Sequence, residues 1–91
     1  MSEPVTSLRN IGPRCAEWLE QIGIHQADDL IQLGAATAYR ELVMREVVTP
    51  HRMLLYALGG AVEGLDCGRL PSELKIRLEE EAGVEHVRKS S

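Results

Sequence analysis

Arg9 and Arg14 bracket the segment Asn10-Ile11-Gly12-Pro13, a spacing suited to holding one phosphate group. Pro13 fits the first turn of a helix, where its missing N–H is not needed. A helix starting there leaves its first backbone N–H groups without intrahelical partners. Those groups, together with the positive end of the helix dipole, attract an anion. The chemistry would be recognition of a nucleic-acid backbone, not of base sequence.

To present those groups the chain must reverse within three or four residues, so one position needs Gly or a residue that tolerates positive φ. Ala16, four residues beyond Gly12, is small enough for close helix packing. An apolar residue, then Ile11-Gly12-Pro13, then Ala16 is the pattern of a helix-hairpin-helix turn. The usual first Gly of such a turn is Asn10 here, and Asn is the non-Gly residue that best accepts the left-handed region. Its side chain would stand in the way of a phosphate. The pattern recurs 22 positions later, where Leu30, Leu33, Gly34, Ala35 and Ala38 match Leu8, Ile11, Gly12, Pro13 and Ala16. Two hairpins in tandem are therefore expected. The second has no cation before Arg40 and reads as structural.

Arg9, Asn10, Ile11, Gly12 and Arg14 are the candidate phosphate-contact residues. Two observations weigh against DNA. Glu17 and Glu20 follow on the same helix, and the chain carries a net charge of −4. Its isoelectric point of about 5.3 is the opposite of a phosphate-neutralising balance. The reading favoured is therefore a protein partner or a homo-oligomer, with weak, non-sequence-specific DNA binding as the alternative.

The elements that carry these groups are short helices divided by Gly and Pro. The expected helices cover 6–10, 13–22, 27–33, 35–46, 49–63 and 72–82. In the second, Ala16, Leu19 and Ile22 face inward with Cys15 and Trp18 at the margin, and Gly23 ends it. Ala35, Ala38, Tyr39, Leu42 and Val43 form one apolar face of the fourth. Thr49-Pro50 reads as an N-cap followed by Pro at the first helical position. In the helix that follows, Leu54, Ala57, Leu58, Ala61 and Val62 line one face. Met53, Tyr56 and Gly60 line another and are the candidate partner surface, so this helix is expected to be central. Gly59-Gly60 inside it signals close approach of a neighbouring backbone.

Val47–Thr49 is too short for a strand and ends at a proline, so the fold class is all-α. It is a compact bundle of five to six short helices in one domain over 7–83, with a disordered N-terminus at 1–6 and a flexible tail at 84–91. Ninety-one residues hold one core, and 44% apolar content is enough to build it. With no Phe and one Trp, that core should be aliphatic, made of Leu, Ile, Val, Ala and Met.

Other chemistries lack their residues. The two cysteines, Cys15 and Cys67, form no C-x-x-C pair, and reduced thiols in a cytoplasmic protein are expected. His25, His51 and His86 lack metal-ligand spacing, so neither metal nor cofactor is expected. The run Glu79-Glu80-Glu81 reads as a solvated helix face. Ser7, Cys15 and Thr49 have no base partner in a recognisable motif, and the chain reads as non-enzymatic. The N-terminus has no signal-peptide pattern, and the longest apolar run, 53–58, is too short to span a bilayer.

The run LRNIGPRCAEWLEQIGIHQADDLIQLGAATAYREL at 8–42 resembles the C-terminal domain of the TfoX/Sxy family of bacterial competence regulators. The similarity continues through LLYALGGAVEG at 54–64 and RLPSELKIRLEEE at 69–81. The resemblance implies a helix-hairpin-helix or SAM-like helical domain. In longer family members this domain follows an α/β domain, and those whole proteins activate competence genes together with the cyclic-AMP receptor protein. The α/β part is not in this sequence, so the resemblance implies an interaction module in transcription regulation. On this chain it points to the turn residues Asn10, Ile11, Gly12 and Arg14 as the binding surface.

Overall fold

The computed structural model describes residues 3–83. Five α-helices follow one another: α1 (Pro13–Glu20), α2 (Ala27–Leu33), α3 (Ala35–Met44), α4 (Arg52–Glu63) and α5 (Ser72–Ala82). Two short 3-10 turns, Val5–Ser7 and Cys67–Arg69, complete the secondary structure. The all-α architecture is as the sequence implies, and no strand is present among the described residues.

α3 lies at the centre, packed against α1, α2, α4 and α5. Its sequence explains this position. Ala35, Ala36 and Ala38 allow close approach, while Tyr39 and Leu42 fill the space between the neighbours. The helix expected to be central, α4, is instead the second layer, against α3, α5 and the 67–69 turn. Its buried face holds Leu55, Tyr56, Leu58, Gly59, Gly60 and Ala61. Leu54, Ala57 and Val62, expected inside, are only half-buried.

The core is not purely aliphatic. Tyr39, 1% exposed, is the largest fully buried side chain, while Met44 and Met53 lie outside. The Tyr39 hydroxyl accepts the His51 N–H at 2.9 Å, so a buried phenol is satisfied by the start of α4. That bond also decides where α4 begins. His51 is held in extended conformation, and its Nδ1 accepts the Met53 N–H at 3.2 Å. The cap is thus His51, and Thr49-Pro50 lies outside the helix.

The N-terminal boundary also differs from expectation. Of the segment 1–6 expected to be disordered, residues 3–6 belong to the fold. Val5 is 3% exposed, its N–H donates to the His25 carbonyl, and the Ala27 N–H donates to the Glu3 carbonyl. The remaining two residues, and the tail expected at 84–91, lie outside the described residues. The predicted helix over 6–10 is only the 3-10 turn Val5–Ser7.

α3 ends two residues earlier than the pattern predicts, in a Schellman motif. The Val47 N–H reaches back to the Leu42 carbonyl at 2.9 Å, and the Glu46 N–H to the Val43 carbonyl at 3.0 Å. The left-handed position of the motif is Glu46, at φ 58°. Gly usually sits there, so Glu costs about 1 kcal/mol of backbone strain.

Candidate functional site

The first hairpin takes its reversal from Asn10, at φ 74°, and not from Gly12, which is extended at φ −92° and ψ −177°. The echo differs. Gly34 has φ 94° and ψ 147° and serves as the hinge shared by α2 and α3. Matching residue patterns therefore make two different turns.

Asn10 does not turn its side chain toward the hairpin mouth. Its Nδ2 donates to the Leu65 carbonyl at 2.8 Å and to the Ala57 carbonyl at 3.3 Å. Its Oδ1 accepts the Cys67 N–H at 3.1 Å. One amide thereby ties the N-terminal hairpin to the end of α4 and the loop that follows. Gly60 lies directly beneath it. A Cβ on Gly60 would meet the Leu65 carbonyl oxygen and, at 2.6 Å, the Asn10 amide nitrogen. The close backbone approach expected at Gly59-Gly60 is thus real for Gly60. At Gly59 the neighbour is the Leu78 side chain.

The remaining hairpin residues divide into two groups. Ile11 is a core residue. Arg9, Gly12 and Arg14 are exposed, and no side chain caps the N-terminus of α1. Glu17 and Glu20 are exposed on the same helix.

The proposed partner surface does not survive as a unit. Tyr56, 7% exposed, and Gly60 are both inside the fold, because α4 turns that face toward α5 and the 65–67 loop. The Tyr56 hydroxyl donates to the Glu79 carboxylate, and the Lys75 ammonium sits 5.4 Å from the ring centroid. Burial first, and then the Glu79 carboxylate, push the Tyr56 phenol up to about 12. Only Met53 remains outside, 48% exposed.

Met53 borders a different feature, an open cleft of about 1040 Å³ between α1 and the start of α4. α1 contributes Pro13, Arg14 and Trp18 to it. The α3–α4 connection contributes Glu46, Val47, Val48 and Pro50, and α4 contributes Met53 and Leu54. The lining is largely apolar, with Arg14 and Glu46 as its opposite charges. Neither is ion-paired among the described residues, where the ion pairs are Arg45–Glu41 at 3.1 Å and Arg77–Glu63 at 3.4 Å. Both cysteines, Cys15 and Cys67, also line the cleft and are unbonded. Burial pushes the Cys15 thiol up to about 11, which keeps it protonated and unreactive at neutral pH. Among the described residues no cluster of three or more His, Cys, Asp or Glu could hold a metal ion. No helix there is long and apolar enough to cross a membrane.

Sequence reasoning missed this cleft because its walls come from several segments far apart in the chain, and helical periodicity reports one helix at a time. Val47-Val48 beside Thr49-Pro50 was the available signal: apolar residues in a connection too short to be a strand.

The family model described as the TfoX C-terminal domain matches residues 1–82. The chain belongs to that family. The TfoX C-terminal domain thus accounts for 82 of the 91 residues. Its fold is shared by the crystal structure of an uncharacterized protein from Listeria monocytogenes, at 28% identity and a TM-score of 0.79. That match covers 90% of this chain and 93% of the other. No curated protein matches the chain.

Proposed function

We propose that this TfoX C-terminal domain is a non-enzymatic protein-binding module of transcription regulation, and that its docking face is the cleft between α1, the α3–α4 connection and α4. The observation that carries this reading is the cleft itself. Trp18, Val47, Val48, Met53 and Leu54 are brought to one open surface depression, where apolar groups lower their free energy by leaving water. The volume is that of a small-ligand site, but openness and shallow polarity suit a short amphipathic helix laid in a groove. The acidic balance of the chain disfavours nucleic acid as the occupant.

The test is selection of displayed amphipathic helical peptides on the folded chain, followed by binding to two variants. Met53→Glu places a charge at the cleft, and Ile76→Glu places one on α5, away from it. The expected peptides lose binding to Met53→Glu and keep it to Ile76→Glu. Recovery of no peptide, or of peptides indifferent to Met53→Glu, contradicts the reading.

A second reading is weak DNA contact at Gly12, favoured by the uncapped, exposed start of α1 between Arg9 and Arg14. Such contact must weaken steeply with salt and drop in Arg9→Glu. Absence of binding to a long duplex at low salt removes it.

A further inference from the structure

We infer that the occupant of the cleft is a second copy of this chain, in a two-fold pairing that sets Arg14 of each protomer against Glu46 of the other. The inference rests on the cleft being a protein-docking face and adds the identity of the partner.

The cleft carries one cation and one anion on different walls, Arg14 from α1 and Glu46 from the α3–α4 connection. Neither is ion-paired among the described residues. A two-fold interface requires that where one residue meets another, the second also meets the first. A surface bearing one unpaired charge of each sign on separate walls satisfies that requirement with itself, giving two reciprocal Arg14–Glu46 contacts. Charge complementarity of this kind fixes register and selects the partner.

Apolar surface beside the charges is available to the same pairing. The α3–α4 connection is one wall of the cleft, and the helix residues on either side of it carry exposed methionines. Met44 is 71% exposed and Met53 is 48% exposed. Methionine adapts to irregular apolar gaps. The connection of each copy can enter the cleft of the other, its methionines meeting Trp18 and Val47.

Glu46 supplies the independent observation. It occupies the left-handed position of a Schellman motif, where glycine carries no strain. Strained non-glycine positions persist where the side chain has a use, and among the described residues Glu46 lines the cleft.

The experiment is sedimentation equilibrium of the full chain from micromolar to millimolar concentration, at low and at physiological salt. The wild-type chain is expected to dimerise, more weakly as salt rises. Arg14→Glu, which sets two carboxylates face to face, should raise the dissociation constant at least about tenfold. The double exchange Arg14→Glu with Glu46→Arg should restore it. Glu46→Gly separates interface from fold, because it relieves the backbone while removing the charge. It should unfold at a higher urea midpoint than the wild-type chain and yet dimerise less.

A wild-type chain that stays monomeric at millimolar concentration overturns the inference. So does a dimer that Arg14→Glu and Glu46→Gly leave unchanged. A monomer that still binds the selected peptides in a Met53-dependent way overturns the second copy alone. A monomer that binds none overturns the docking face as well.

Discussion

The Asn10 amide nitrogen lies 2.8 Å from the Leu65 carbonyl oxygen, joining residues 55 positions apart. The turn that looked like a phosphate cradle is thereby part of the internal framework. Its conformation and its side chain act together, since with a left-handed backbone at Asn10 the amide reaches the end of α4 and the loop that follows.

Removing that tie should be costly. Asn10→Gly keeps the positive φ but loses three hydrogen bonds, to the Leu65 and Ala57 carbonyls and from the Cys67 N–H. A loss of about 2–3 kcal/mol in urea unfolding is expected. Asn10→Ala should lose about 1 kcal/mol more, because alanine is strained in the left-handed region. Equal stability of the alanine and glycine variants would show that the backbone conformation is not what Asn10 supplies.

The adjacent glycines should behave unlike each other. Gly60→Ala drives a methyl group into the Leu65 carbonyl and the Asn10 amide, neither of which can yield without breaking the tie. Overpacking of this kind costs about 1–3 kcal/mol. Gly59→Ala meets only the branched end of Leu78, which can rotate, and gains about 1 kcal/mol of helix propensity. Thermal unfolding of the two variants should place Gly60→Ala clearly below Gly59→Ala. The reverse order would mean that Leu78 is the rigid neighbour.

Alkaline pH should destabilise the fold through Cys15 and Tyr56, and burial raises the Tyr39 phenol in the same direction. Cys15 rises from 9.0 to about 11 in the folded chain, and Tyr56 from 10.0 to about 12. In each case the folded state holds a proton that the unfolded state releases first. The stabilisation is therefore complete below pH 9 and is lost as pH rises through 11 and 12. Urea midpoints measured from pH 8 to pH 12 should fall across that window. Cys15→Ala should remove the lower part of the fall, and Tyr56→Phe should reduce the upper part, to which Tyr39 also contributes.

The helices were legible in the residues because punctuation and periodicity are local. α2 and α5 match their expected bounds, each stopped by a glycine at positive φ, Gly34 and Gly83. The structure adds a local cap to α2, where Asp29 in its first turn accepts the Gln26 N–H at 3.1 Å. Asn10 was correctly read as the left-handed residue of the first turn. Its three partners were not, because they lie 47 to 57 residues away. The start of α4 was misplaced for the same reason: the Tyr39 hydroxyl decides it from another helix. Tyr56 was assigned to the surface because one helix wheel cannot show that α5 covers it. The cleft required the fold, since Trp18, Val47 and Met53 belong to different elements.

The central claim is that this cleft is an open apolar receptor beside Trp18. Because Trp18 is the one tryptophan in the chain, energy transfer from it to bound anilinonaphthalene sulfonate locates the dye. The native protein should bind the dye with quenching of Trp18 and sensitised dye emission. Met53→Glu should abolish both signals, and Ile76→Glu should leave them intact. No dye binding by the native chain, or binding that Met53→Glu leaves undiminished, would contradict the account.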